Sequence, residues 1–441
     1  MGCTPAPDAS PSPAQKESEP APAASPTTDA PNTILAPAPA TPPSSAKTTV
    51  IPPGLDVQTA VQEALILAEP GSIVQLEEGT YEFQLGLSLD IDGVIVRGRG
   101  IDKTVLNFQG QEAGSEGLFV TSKNVVLEDF AVVDTKGNGI KTQGSENIVI
   151  RRVRAEWTGG PKETNGAYGI YPVSSVNVLV EDCVAIGGSD SGIYVGQSKN
   201  VIVRNCRVEF NVAGIEIENC HGADVYGCTA TNNTGGILVF DLPDLPQQKG
   251  HDIRLLDNAV FANNTPNFAP TGNIVATVPT GTGVMVMANS NVEIFNNEIR
   301  GHETANMLIV SYQSTLLEIK DPDYYPYAEA IHIHHNTFGV CGNKPGGERG
   351  GLIAAIAGSP LPDIVWDGIV NEARLVDGKL PPESRIYIRD NKDTEGEVTF
   401  VSIGGAAILP NPAEAVVTRD LSEHVGELPA IEPVAIPGAA Q

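Results

Sequence analysis

The sequence predicts an all-β solenoid, a stack of coils built from short strands. Three observations predict it: an internal repeat of 22 or 23 residues, turns rich in Gly and Asn, and no helical periodicity inside the repeat. Gly169-Ile170-Tyr171, Gly192-Ile193-Tyr194, Gly214-Ile215-Glu216 and Gly236-Ile237-Leu238 begin units spaced 23, 22 and 22 residues apart. Gly139-Ile140-Lys141 lies 30 residues before the first of these, which leaves room for an insertion at 159–166. Eight residues after a leading glycine a second apolar strand follows, at Asn147, Asn177, Asn200 and Asn291. The register is therefore kept through the insertions.

The elements follow in order along the chain. Twelve of the 34 prolines fall in the first 50 residues among Ala, Ser and Thr, so residues 1–48 read as a disordered spacer that cannot bury enough surface to order itself. Asp56 is the expected N-cap of a helix carrying Val57, Ala60, Val61, Ala64, Leu65 and Ala68 at helical spacing until Pro70-Gly71. From Gly71 the pattern changes to period two, punctuated by Gly79, Gly93, Gly98 and Gly100. Residues 49–404 form one predicted domain, and 405–441, rich in Ala, Pro and acidic residues, a loosely attached tail.

On these residues the chain resembles the right-handed parallel β-helix proteins of the pectate-lyase-like class. The helix-then-strand opening that runs to Val94-Ile95-Val96-Arg97-Gly98-Arg99-Gly100 is similar to the N-terminal capping helix and first coils of that class. Its overall character is similar to bacterial parallel β-helix repeat lipoproteins. Met1-Gly2-Cys3 resembles the end of a bacterial lipoprotein signal, which implies lipidation at Cys3 and a cell-envelope or secreted location. The fold resembles that of periplasmic mannuronan epimerases, but of their Asp-Pro-His-Asp motif the string Tyr171-Pro172-Val173-Ser174 keeps only the proline.

Charge narrows the partners. With 27 basic and 54 acidic residues the net charge is −27, which repels nucleic acid and an anionic membrane surface alike. No apolar run is long enough to cross a bilayer, so membrane attachment is expected through a lipid anchor alone.

Side chains alternate faces along a strand, so the residue after each inward Ile points outward. This gives one outward column of Lys141, Tyr171, Tyr194, Glu216 and Leu238, and a second of Gln143, Val173, Gly196, Glu218 and Phe240. With coils about 4.8 Å apart, the columns make a face of oligosaccharide length. The expected partner is a carbohydrate polymer. Lys141, Tyr171, Tyr194 and Glu216 are the candidate catalytic residues, with the tyrosines acting as acid or base at pKa values drawn toward neutrality. Asp190, Glu218, Phe240 and Asp241 are candidate substrate contacts, and Asp190, Glu216 and Glu218 candidate ligands of a Ca²⁺ that would neutralise a uronate. A lyase, an epimerase, a glycoside hydrolase with Glu216 beside Asp190 or Glu218, a non-catalytic carbohydrate-binding protein and a structural scaffold of the cell envelope all remain open. The insertions at 158–166, 241–250 and 264–282 are expected to form walls beside this face, and 311–327 to close over it.

Two further groups carry chemistry by type. Cys183, Cys206 and Cys228 share one register position and are expected to stack as small buried residues. Ile331-His332-Ile333-His334 puts two imidazoles on one outer face, a possible metal pair; the column Asp224, Arg254, Glu293, His332 also suggests charge pairing between coils.

Overall fold

The computed structural model describes residues 46–406, 408 and 411–436. The spacer and Cys3 lie outside the described residues, apart from the last few positions before Val50. Each coil of the repeat contributes three strands, as in Tyr168–Val173, Val176–Glu181 and Val184–Ile186. The first strand of each coil joins an 11-stranded sheet and the other two a 21-stranded sheet, with every strand pairing parallel to its equivalent in the next coil. This is a parallel β-helix.

The leading glycines have a steric cause. A Cβ placed on Gly139 would lie 2.5 Å from the carbonyl oxygen of Gly169, and the clash recurs from Gly169 to Gly192 at 2.6 Å, from Gly214 to Gly236 at 2.5 Å and from Gly236 to Gly283 at 2.6 Å. Successive coils approach at this corner too closely for any side chain. The following Ile140, Ile170, Ile193, Ile215 and Ile237 fill the interior.

Turns are stapled from coil to coil. Asn147, Asn177 and Asn200 adopt positive φ, which Asn tolerates better than most residues. Their amides chain together, Asn177 donating to Asn147 at 2.8 Å and Asn200 to Asn177 at 3.0 Å. A second ladder runs inside the coil through Asn258, Asn297 and Asn336, each donating to the next at 2.9 Å. Cys183, Cys206 and Cys228 occupy the same corner in earlier coils and are buried, with Cys228 N–H donating to Asn258 at 2.9 Å. The thiols thus pack as a stack that the asparagines continue.

Helix α1 (Val57–Ile66) buries Val57, Val61 and Leu65 into the core at the first coil. Asp56 does not cap it as expected: its backbone is left-handed and its carboxylate accepts from Thr59 Oγ1 at 2.7 Å instead of a helix N–H. Helix α2 (Gly347–Ala357) sits in a late insertion. The C-terminal segment also departs from the expected loose tail. It runs back along the outer face of the larger sheet, where Ile431 N–H donates to Glu293 at 3.1 Å, Val434 N–H to Asp224 at 3.0 Å, and Ile436 packs with Leu179 and Ile202.

Candidate functional site

The two outward columns stand where the repeat places them. Lys141 pairs with Tyr171, Tyr194 with Glu216, and Glu216 with Leu238; Gly196 pairs with Glu218 and Glu218 with Phe240. The columns differ in what covers them. Lys141 and Tyr171 are half-buried, whereas Tyr194 is 3% exposed, Glu216 1% and Phe240 1%. The expected open floor over all five coils is therefore corrected to a mouth at Lys141 and Tyr171 that closes at Tyr194.

Loops close it. The 264–282 insertion returns over the strands, packing Val275 and Val278 against Val212, Ala213 and Leu238, and Asn273 donates to Asp190 Oδ2 at 3.1 Å. From the 311–328 segment the Tyr324 hydroxyl donates to the Asp241 carbonyl, and Tyr312 and Tyr324 join Phe240, Met285 and Met287 in an outer apolar cluster. Phe240 and Asp241 are thus covered residues, not the open substrate contacts expected of them. Asp190 is likewise buried, not at the rim.

Three tyrosines form the wall of the mouth. The rings of Tyr168 and Tyr171 are 4.4 Å apart, Tyr168 and Tyr194 4.6 Å, and Tyr171 meets Tyr194 edge-on at 4.9 Å. Lys141 Nζ lies 5.2 Å from the Tyr171 centroid and 5.7 Å from that of Phe119, within cation–π range, and 3.9 Å from Glu116 Oε1. Gly196 makes room for the Tyr194 phenol, since a Cβ there would sit 2.2 Å from the hydroxyl. The phenol so placed donates to Glu218 Oε1 at 2.5 Å.

Behind the tyrosines stand three buried carboxyl groups, Asp190, Glu216 and Glu218. Ser191 Oγ contacts both Asp190 Oδ1, at 3.1 Å, and Glu216 Oε2. A hydroxyl carries one proton, so two such bonds between one serine and two acids require that one acid be protonated. Burial pushes Asp190 up to about 6, against hydrogen bonds from Ser191, Tyr168 and Asn273. It pushes Glu218 up to about 7, against the bond from Tyr194 and helped by the charges of Asp190 and Asp241. Glu216 is raised well above the carboxylate range by burial and by Asp190 and Glu218, and its Oε1 has no partner, which suits a neutral acid. The tyrosines move the opposite way from expectation. Burial pushes Tyr171 up to about 12, and Tyr194 and Tyr168 well above their ordinary value, with the nearby carboxylates adding to the shift. At neutral pH they are proton donors, not bases.

Both oxygens of Asp190, Oε2 of Glu216 and Oε1 of Glu218 are hydrogen-bonded, to Ser191, Asn273 and Tyr194, while Oε1 of Glu216 has no partner. Among the described residues, the group that brings three potential metal-ligand atoms within 4.8 Å of one another is Glu293, His332 and His334, on the other sheet.

The repeat assigned the columns but missed Tyr168, Ser191, Glu116 and Asn273. Tyr168 and Ser191 are register partners one position ahead of the leading glycine, so a column written there would have found both. Asn273 comes from an irregular loop and had no periodic signal.

Residues 92–244 match the family of right-handed beta helix regions. Among solved structures, the chain is similar to the A-module of Azotobacter vinelandii mannuronan C-5 epimerase AlgE4, at 17% identity and a TM-score of 0.49, over 76% of this chain and 90% of that one. A mannuronic-acid-specific polysaccharide family 6 lyase from human gut microbiota aligns at 13% identity and a TM-score of 0.44, over 68% of this chain and 76% of that one. The alginate lyase of Paenibacillus sp. str. FPU-7 aligns at 12% and 0.41, over 80% and 97%. No curated protein matches the chain.

Proposed function

We propose that this right-handed parallel β-helix protein binds a carbohydrate polymer at the mouth formed by Lys141, Tyr168 and Tyr171. One observation carries the reading: two half-buried tyrosine rings 4.4 Å apart stand beside the ammonium of Lys141 on strands of adjacent coils. Flat aromatic faces suit the apolar faces of sugar rings, while Lys141 offers donors to hydroxyl or carboxylate oxygens. A small number of polar groups set around an aromatic surface is the usual composition of such a site.

A second reading, that the polymer is also modified, is supported by Asp190. It adjoins Tyr168 and burial pushes it up to about 6, so while protonated it can donate to the Tyr168 oxygen as the phenol hands its own proton to a group resting on it, and it then regains a proton from solvent. In that role Tyr168 is the acid in contact with the sugar and Asp190 resupplies it.

The experiment is binding and turnover on a panel of acidic and neutral polysaccharides, with and without Ca²⁺. It is followed by affinity electrophoresis, ultraviolet absorbance of unsaturated uronates, and reducing ends. Retention of at least one polymer, lost in Tyr171→Ala, is expected; a chain that retards none of them refutes the reading and leaves the scaffold role. Products that vanish in Tyr168→Phe identify the modifying role. We further propose export with a lipid on Cys3, tested by fatty-acid labelling that Cys3→Ser removes.

A further inference from the structure

The outer face of the larger sheet carries a second cluster with no part in the carbohydrate mouth. In register across the coils stand Asp224, Arg254, Glu293, His332 and Tyr387. Arg254 is matched to Asp224 at 3.6 Å and lies over the Phe295 ring, which leaves Glu293 to face the histidines. His334 Nε2 is 3.0 Å from Glu293 Oε1, and its ring stacks on Phe295 at 5.1 Å and lies tilted against His332 at 4.2 Å. His332 is 94% buried by its 6% exposure, and neither of its ring nitrogens has a hydrogen-bond partner. An imidazole normally engages at least one nitrogen when buried, because an unpaired buried polar group has given up its hydration for nothing in return. The open nitrogens of His332 therefore face toward something not made of this chain.

We propose that Glu293, His332 and His334 hold a Zn²⁺-class divalent ion. Their ligand atoms already lie within 4.8 Å of one another, and tetrahedral zinc at bonds of about 2.0–2.2 Å would bring them to about 3.4 Å apart, reachable by small ring rotations. Two imidazoles and one carboxylate are a borderline-soft donor set that selects zinc over calcium. The supporting shell is in place. His334 Nδ1 is 2.8 Å from His335 Nδ1, so His334 can carry its proton on Nδ1, donate it to His335 and present Nε2 to the ion. Glu293 Oε2 is held by the Ile431 N–H of the C-terminal strap, which roofs the cluster. With the single ring proton of His334 on Nδ1, its Nε2 lone pair turns from Glu293 to the ion, and water completes the fourth position.

The test is titration of the chelator-stripped full chain with ZnCl₂ by calorimetry in two buffers of different ionisation enthalpy. One ion per chain is expected in both buffers, and the same titration with CaCl₂ is expected to give no heat. His334→Gln and His332→Ala should each weaken the site by at least about 100-fold, while far-ultraviolet dichroism reports that the coils are intact. A second measurement needs no variant: Co²⁺ added to the wild-type chain should give the visible bands of a four-coordinate site with nitrogen ligands. A chain that binds no more Zn²⁺ than the His332→Ala/His334→Gln double variant overturns the proposal. So does a Co²⁺ spectrum dominated by sulfur-to-metal charge transfer, which would place the ion on cysteine.

Discussion

The Tyr194 hydroxyl donates to Glu218 at 2.5 Å across one coil step, in the closed part of the site. Both groups are raised by burial, Glu218 to about 7, and the bond itself holds Glu218 lower than burial alone would. Removing the donor should therefore raise Glu218 further. Tyr194→Phe is expected to lose about 1–3 kcal/mol at pH 8, where Glu218 is charged, and much less at pH 5, where it is neutral. Chemical denaturation at the two pH values measures the difference; equal losses would mean that the bond does not favour the charged form.

The same shifts fix a pH dependence of unusual sign. Asp190, Asp241 and Glu218 bind protons more tightly folded than unfolded, with folded values of about 6, 6 and 7 against 3.8, 3.8 and 4.5. Their contribution to stability is greatest below about pH 4 and is lost as pH rises through 6 to 7. The melting temperature should accordingly rise by a few degrees from pH 8 to pH 5.5, and Glu218→Gln should flatten that slope. A melting temperature that falls steadily over this window contradicts the assignment.

At the mouth, Lys141 and Tyr171 are half-buried and form no part of the interior, so they can be changed without disturbing the coil. Lys141→Ala should weaken binding of a uronate polymer about tenfold more than that of a neutral one, since only the former loses a charge-assisted bond. Unfolding free energies within about 0.5 kcal/mol of wild type are expected alongside. Identical losses for both polymers would remove Lys141 from carboxylate recognition.

The coil corner makes a sharper stability prediction. Gly214→Ala puts a methyl 2.5 Å from the Gly236 carbonyl oxygen and 2.8 Å from Val208, both fixed by neighbouring coils. A loss of about 1–3 kcal/mol follows from overpacking. Gly54→Ala, with nothing within 4 Å of the new methyl, is the control and should change stability little. Comparable losses for both would refute the corner argument.

The asparagine ladder should be costlier still. Asn297 is buried, donates to Leu255 and Phe295 carbonyls at 2.9 and 3.0 Å and to Asn336 at 2.9 Å, and accepts from Asn258. Asn297→Ala leaves several of these groups unpaired at once, at about 1–3 kcal/mol each. A loss above 3 kcal/mol by denaturant melts is expected, and one below 1 kcal/mol would mean that water replaces the amide.

Most of the fold was legible because a solenoid repeats its local rules. The Gly-Ile pairs mark a corner that recurs at each coil, and the interval between them gives the register of Lys141, Tyr171, Tyr194 and Glu216 without reference to distant contacts. Asp56 departs from the expected cap because a residue suited to capping can instead bond its own neighbour, and only the path of the entering chain decides which. The docking of the C-terminal segment has no local signal because its few apolar residues, Val434 and Ile436 among them, find a partner only in a sheet laid down more than 200 residues earlier.

What the sequence by itself determined is vertical alignment: which residues stack, which face inward, and which columns carry aromatic, acidic or imidazole groups. Period and face follow from strand alternation and from the space at one corner, and both are local properties. What the tertiary structure alone decided is exposure. The 264–282 and 311–328 insertions have no period, and their folding back buries Tyr194, Glu216, Glu218 and Asp241 while leaving Lys141 and Tyr171 at the opening. Removal of water by those loops sets the proton affinity of each group, because the cost of charging an acid depends on what covers it and not on its place in the repeat.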